Sequence, residues 1–179
     1  MDVADVTRYA RHISLPEIGP EGQARISAAR VAVVGADLAA ETAATYLRAA
    51  GCQVVEETLS VAEIDLIVRS GFDDTPLDAE AARLGLPFIA VRATPEAVDM
   101  VAFSGRVPSP DARPEVPFKA AGTPTTDDAS AVLAGTLAAA EALQTIVREA
   151  APFTPRIRHM RLPLDGREPL VQEIGAPAR

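Results

Sequence analysis

The chain of 179 residues has one cysteine, Cys52, one lysine, Lys119, and no tryptophan. A single cysteine excludes an internal disulfide and any paired-cysteine zinc clamp. The net charge of −8 argues against nucleic acid as a partner, since that affinity rests on Lys and Arg neutralising phosphates. Aromatics make up 4% of the residues while 48% are hydrophobic, so the core must be aliphatic. No apolar run of bilayer-spanning length is read along the chain, and no membrane association is expected. The opening Met-Asp-Val-Ala-Asp-Val has neither the basic segment nor the apolar stretch of a secretion signal, so a cytoplasmic location is expected.

What is present is an alternation of short aliphatic runs and helical patterns. Residues 1–29 read as a helical arm: an amphipathic stretch from Val6 to Leu15, a Pro16–Pro20 break, and a helical turn from Gln23 to Ala28. Strands are read at Arg30–Val34, Val54–Thr58, Ile64–Arg69, Pro87–Val91 and Val98–Phe103. Helices are read from Glu41 to Ala50, from Pro76 to Leu84 with Gly85 as its stop, and from Ala129 to Ala151. Five prolines between Ser104 and Asp128 mark a long loop. Arg156–Leu162 and Leu170–Ile174 flank Asp165-Gly166 as a hairpin. The expectation is one α/β domain over residues 1–179, a Rossmann-like three-layer sheet that is mostly parallel and ends in an antiparallel hairpin.

The first strand and the helix after it enclose Gly35-Ala36-Asp37-Leu38-Ala39-Ala40. At this spacing a nucleotide-binding turn carries G-x-G-x-x-G: one glycine for the turn, one for phosphate approach, one for helix packing. Only Gly35 is a glycine here. Ala40 at the third position is a mild change. Asp37 at the second is severe, because a carboxylate about 4 Å from a phosphate in a partly dry site is repelled by several kcal/mol.

Longer stretches carry a resemblance. Arg8-Tyr9-Ala10-Arg11-His12, Leu15-Pro16-Glu17-Ile18-Gly19, Glu21-Gly22-Gln23 and Arg30–Gly35 resemble the opening of the ThiF/MoeB/HesA family, bacterial relatives of the ubiquitin-activating enzymes. Asp65-Leu66-Ile67-Val68, Gly85-Leu86-Pro87-Phe88-Ile89 and Gly135–Leu143 resemble later family motifs. The resemblance implies a fold that adenylates the C-terminal Gly-Gly of a ubiquitin-like sulfur carrier with Mg-ATP. It also implies dimers in which an arginine matching Arg11 reaches into the partner's nucleotide site.

The departures bear on each implied role. The segment with the family's ATP-gripping arginine and lysine is missing, as Thr58 runs almost directly into Ile64. The family's magnesium-holding aspartates fall on Arg69 and Phe72, with Asp73 or Asp74 as a substitute only after a one-residue slip. A ribose-holding acid would be Glu56 or Glu57, either of which also reads as a surface residue. No metal site is expected, the family's zinc cysteines being absent.

Transfer of an adenylyl group depends on positioning and on neutralising charge. A chain that lacks the positive groups and adds a negative one is expected to be a pseudoenzyme with no cofactor. Three readings follow from the sequence. The first is a non-catalytic partner that dimerises with itself or an active homologue, or docks a ubiquitin-like carrier. The second is a reduced adenylyltransferase using ATP, magnesium and Asp73. The third is a small-molecule binder built on the same sheet. On this view Gly35, Asp37, Ala40 and Glu56 mark the nucleotide site, and Arg11 serves a partner's nucleotide or pairs with surface acids alongside Arg8. His12 reads as a satisfied edge histidine, Cys52 as a small buried residue, and the basic strand Arg156–Arg161 as a solvated edge or a carrier dock.

Overall fold

The computed structural model describes residues 3–55, 63–71, 84–104, 128–148 and 156–175. The described elements are α1 (Val3–Arg8), α2 (Ala10–Ile13), α3 (Gly19–Ala28), β1 (Arg30–Val34), α4 (Leu38–Ala50), β2 (Gln53–Val55), β3 (Leu66–Ser70), β4 (Phe88–Ala93), β5 (Ala97–Ser104), α5 (Asp128–Arg148), β6 (Arg156–Pro163) and β7 (Leu170–Gly175). The seven strands form one sheet in the order β2-β1-β3-β4-β5-β6-β7. β2, β1, β3 and β4 run parallel, and β5, β6 and β7 add on antiparallel. The antiparallel half is therefore one strand wider than the expected hairpin, because β4 turns straight back into β5 through Thr94, whose hydroxyl and backbone bond Ala97.

Helices α3, α4 and α5 all pack on one face of the sheet. That face carries Val31, Leu66, Val68, Ile89, Val91, Val98 and Met100, which meet Ile26, Ala43, Leu47, Ala134, Ala138 and Ile146 in one aliphatic core. Small residues let the helices sit close. A Cβ on Gly135 of α5 would lie 2.3 Å from the Ala39 carbonyl oxygen of α4. By length and composition α5 is long and apolar enough to cross a membrane, contrary to the expectation that no such run exists. In this fold its apolar side is what covers the sheet. The opposite face carries a smaller cluster of Ala32, Ile64 and Ile67. The third layer expected there, with the Pro76–Leu84 helix and the proline-rich loop, lies outside the described residues.

Element ends differ from the sequence reading where side chains, not periodicity, set them. α4 begins at Leu38, three residues earlier than read, because Asp37 caps it. It ends on Gly51 in the left-handed region, with the Cys52 amide donating to the Leu47 carbonyl. The arm opens as two short helices, α1 and α2, with a turn at Tyr9 between them, before α3.

Candidate functional site

In an open parallel sheet, ligands collect beyond the carboxyl ends of the strands where the strand order reverses. Here that point lies between β1, which is followed by β2 on one side, and β3, which leads to β4 on the other. The turn after β1 occupies it. Gly35 adopts φ +136°, and a Cβ there would stand 3.0 Å from the Ser70 Cβ and 3.1 Å from the Ala40 Cβ. Glycine is thus required at this position by conformation and by space. Ala40 is buried, its methyl filling the room left above Gly35.

Asp37 takes the N-cap position of α4 in extended backbone geometry. Its Oδ1 accepts the Ala40 amide at 3.0 Å, and its other carboxylate oxygen accepts the Ser70 hydroxyl. The sequence reading had this carboxylate directed at an incoming phosphate. It instead folds back on the first turn of α4, where an N-cap acid is favoured by the free amides and by the helix dipole. The electrostatic consequence is similar. An amide that a phosphate would use at a helix N-terminus is already taken, and a negative charge stands beside it. Ser70 was missed because the strand was read as ending at Arg69. The signal was present, since parallel pairing of Val34 with Arg69 sets residue 70 beside the Gly35 turn.

Arg69, standing where the family has an aspartate, is buried with its guanidinium 5.3 Å from the Phe88 ring centroid. Asp73 and Glu56, read as magnesium and ribose ligands, lie outside the described residues, as do Asp74 and Glu57. Among the described residues there is no cluster of three or more His, Cys, Asp or Glu side chains fit for a metal.

Arg11 is exposed, and its side chain makes no hydrogen bond or ion pair among the described residues. The arm that carries it is tied to the far end of α4. Tyr9 is buried, with its hydroxyl 2.8 Å from where a Cβ on Gly51 would sit. Gln23, fully buried, donates from Nε2 to the Ala50 carbonyl at 2.9 Å and to the Ser27 hydroxyl at 3.3 Å. That orientation leaves its Oε1 facing His12 Nδ1 at 2.9 Å, so His12 donates from Nδ1. His12 is the satisfied edge histidine that was expected. The fold brings Gly35, Asp37 and Ala40 together at the N-terminal end of α4, whereas the arm bearing Arg11 is anchored at the opposite end of that helix.

The basic strand is corrected most. β6 lies inside the sheet between β5 and β7, so it is not an edge. Arg158 pairs with Glu141 of α5 at 2.8 Å, and Arg161 reaches both oxygens of Asp99 at 3.2 Å. Burial pushes the Asp99 carboxyl up, against the pull of Arg161, His159 and Arg92. Burial pushes the buried His159 imidazole down, opposed by Asp99 and helped by Arg161. One pair joins β6 to helix α5 and the other joins β6 to β5. Cys52 is buried as expected, its thiol pushed up to about 11 by burial and so kept unreactive.

No family model matches the chain. Individual proteins do. The SAMP-activating enzyme E1 of Haloferax volcanii is 44% identical over 70 residues, which is 39% of this chain and 24% of that protein. The adenylyltransferase and sulfurtransferase MOCS3 of Drosophila ananassae is 38% identical over 77 residues, 43% of this chain and 16% of its own length. The probable adenylyltransferase/sulfurtransferase MoeZ of Mycobacterium tuberculosis is 36% identical over 66 residues, covering 37% and 16%. The match thus spans a quarter or less of each of these proteins. Among solved structures, PaaA superposes over 98% of this chain and 75% of its own with a TM-score of 0.68. Escherichia coli MccB superposes over 96% and 73% with a TM-score of 0.66. Both share 13% identity, a likeness of fold. Local sequence identity to activating enzymes and a sheet that superposes on MccB and PaaA both agree with the resemblance to the ThiF/MoeB/HesA family read from the sequence.

Proposed function

We propose that this chain is a non-catalytic member of that family, acting as a dimer partner or docking scaffold in the activation of a ubiquitin-like sulfur carrier. The observation that carries the reading is Asp37. Its carboxylate caps α4 at the switch point, bonded to the Ala40 amide and the Ser70 hydroxyl, in the place where the fold offers amides to a phosphate. A nucleotide would have to displace a covalently tethered anion and then accept its charge nearby. The arm motif, in contrast, keeps Arg11 exposed and uncommitted, available to a second chain. The carrier is an expectation from the names of the relatives, which include a SAMP-activating enzyme and two sulfurtransferases.

The names of those relatives also favour a second reading, a working adenylyltransferase that uses Asp73 for magnesium and binds ATP at Gly35. Titration calorimetry with Mg-ATP on the purified chain separates the two. The scaffold reading expects no heat of binding at millimolar Mg-ATP. Micromolar affinity overturns it and makes ATP–pyrophosphate exchange the next assay.

A further inference from the structure

We infer that the guanidinium of Arg161, held from behind by Asp99 and bordered by Leu170, is a seat for the carboxylate of a small aliphatic acid, on the sheet face opposite the helices. The β5–β6 register sets Asp99 beside Arg161, and the β6–β7 register sets Arg161 beside Leu170. Residues directly opposite on neighbouring strands share a face, with Cβ atoms about 5 Å apart. Met100 and Met160, one position along in β5 and β6, belong to the helix-covered core, so Asp99, Arg161 and Leu170 form a row on the other face. Asp99 is fully buried, and both of its oxygens accept from a single nitrogen of Arg161, Nη1, at 3.2 Å. The guanidinium is thereby fixed at its inner corner. Its Nε and Nη2 make no hydrogen bond to any described residue, and the side chain is 42% exposed.

That open edge selects the ligand. Nε and Nη2 present two parallel N–H donors spaced like the two oxygens of a carboxylate. Because Asp99 already sets the rotamer, little side-chain entropy is lost on binding. The surroundings select the rest of the molecule. Leu170, the neighbour on β7, is 52% exposed, and Leu164, three residues past Arg161, is 39% exposed. The one acid of β7, Glu173, is level with Arg158, whose partner Glu141 places both on the helix face, so no carboxylate of that strand opposes an anion at Arg161. A phosphate fits less well, since it carries more charge and more water than one guanidinium edge replaces. The other arginine of the row, Arg92 opposite Asp99 on β4, is itself engaged. A carboxylate on a short apolar chain meets both halves of the site, its oxygens on the fork and its chain along Leu170. Three strands separate β6 from β1, so the seat stands whether or not the turn at Gly35 takes Mg-ATP.

The test is an amide NMR titration of the intact, isotope-labelled chain with hexanoate, using hexanol and inorganic phosphate as controls. Hexanoate is expected to saturate with a Kd on the order of 1 mM, in keeping with so small a ligand, and to shift the amides of Asp99, Arg161 and Leu170. Hexanol and phosphate are expected to bind at least about tenfold more weakly. Arg161→Lys keeps a charge beside Asp99 but removes the fork, and is expected to weaken hexanoate at least about tenfold. Leu170→Asp leaves the Asp99–Arg161 pair in place, sets a like charge beside the ligand, and is expected to weaken hexanoate by a similar factor. The amide spectrum itself shows whether each variant is folded, and if Arg161→Lys is not, Leu170→Asp decides alone. Absence of saturation, or phosphate or hexanol binding as tightly as hexanoate, overturns the seat. Unchanged affinity in either folded variant overturns it as well.

Discussion

Asp37 does three jobs at the residue scale: it caps a helix, accepts a strand-end hydroxyl and places a charge at the switch point. Its contribution to stability is measurable apart from any ligand. Asp37→Ala removes the acceptor for the Ala40 amide and is expected to lower stability by about 1 kcal/mol in urea unfolding, whereas Asp37→Asn, which keeps the cap, loses much less. Equal stability of the alanine variant would mean that the cap is ornamental. That Gly35, Asp37 and Ala40 share one strand-to-helix turn was legible from spacing alone. The direction of the Asp37 side chain was not, since a carboxylate facing outward and one capping its own helix share one sequence. The partner that decides between them, Ser70, is thirty-three residues away along the chain and adjacent only through the β1–β3 pairing.

At the scale of elements, α4 and α5 are held by closeness more than by bulk. Gly135 faces the Ala39 carbonyl and the Thr42 Cβ, which a methyl group would meet at 2.3 and 2.7 Å. The first of these is backbone and cannot swing aside, so α4 and α5 would have to separate. Gly135→Ala is expected to cost about 3 kcal/mol, the upper end of overpacking effects, seen as a lower midpoint in thermal unfolding. A neutral result would show that the two helices slide freely. All seven described strands were legible, the first five as short apolar runs between turn residues and the last two as the arms of a hairpin about Asp165-Gly166. Their order was not, because nothing local in β5 announces that it turns back beside β4. The character of β6 was misread for a related reason. Arg158 and Arg161 look solvated in sequence, and only the fold supplies Glu141 from α5 and Asp99 from β5 as their partners.

At the scale of the whole molecule the two faces of the sheet differ in kind. One is aliphatic and covered by α3, α4 and α5. The other carries, in its antiparallel half, Asp99, Arg161 and His159, with Arg92 across the β4–β5 register. Because burial lowers the proton affinity of His159 in the native state below the ordinary value of 6.5, the unfolded chain binds the proton more readily. Stability is therefore expected to fall as pH drops below about 6.5. Asp99, raised above its ordinary 3.8, works in the opposite sense: protonation there favours the folded state as pH falls. The His159 effect is isolated by His159→Gln, which should flatten the decline just below pH 6.5 in urea unfolding followed across pH. An unchanged slope would assign the acid sensitivity to other groups.

The cap on α4 has a consequence for how the protein lives with its surroundings. A helix N-terminus that waits for a phosphate is steadied in proportion to how much nucleotide is free, gaining stability logarithmically with concentration. Asp37 is part of the chain and always present at one per molecule. The cap on the first turn of α4 is therefore supplied by the chain itself, at a fixed one per molecule, with no dependence on the concentration of any free anion.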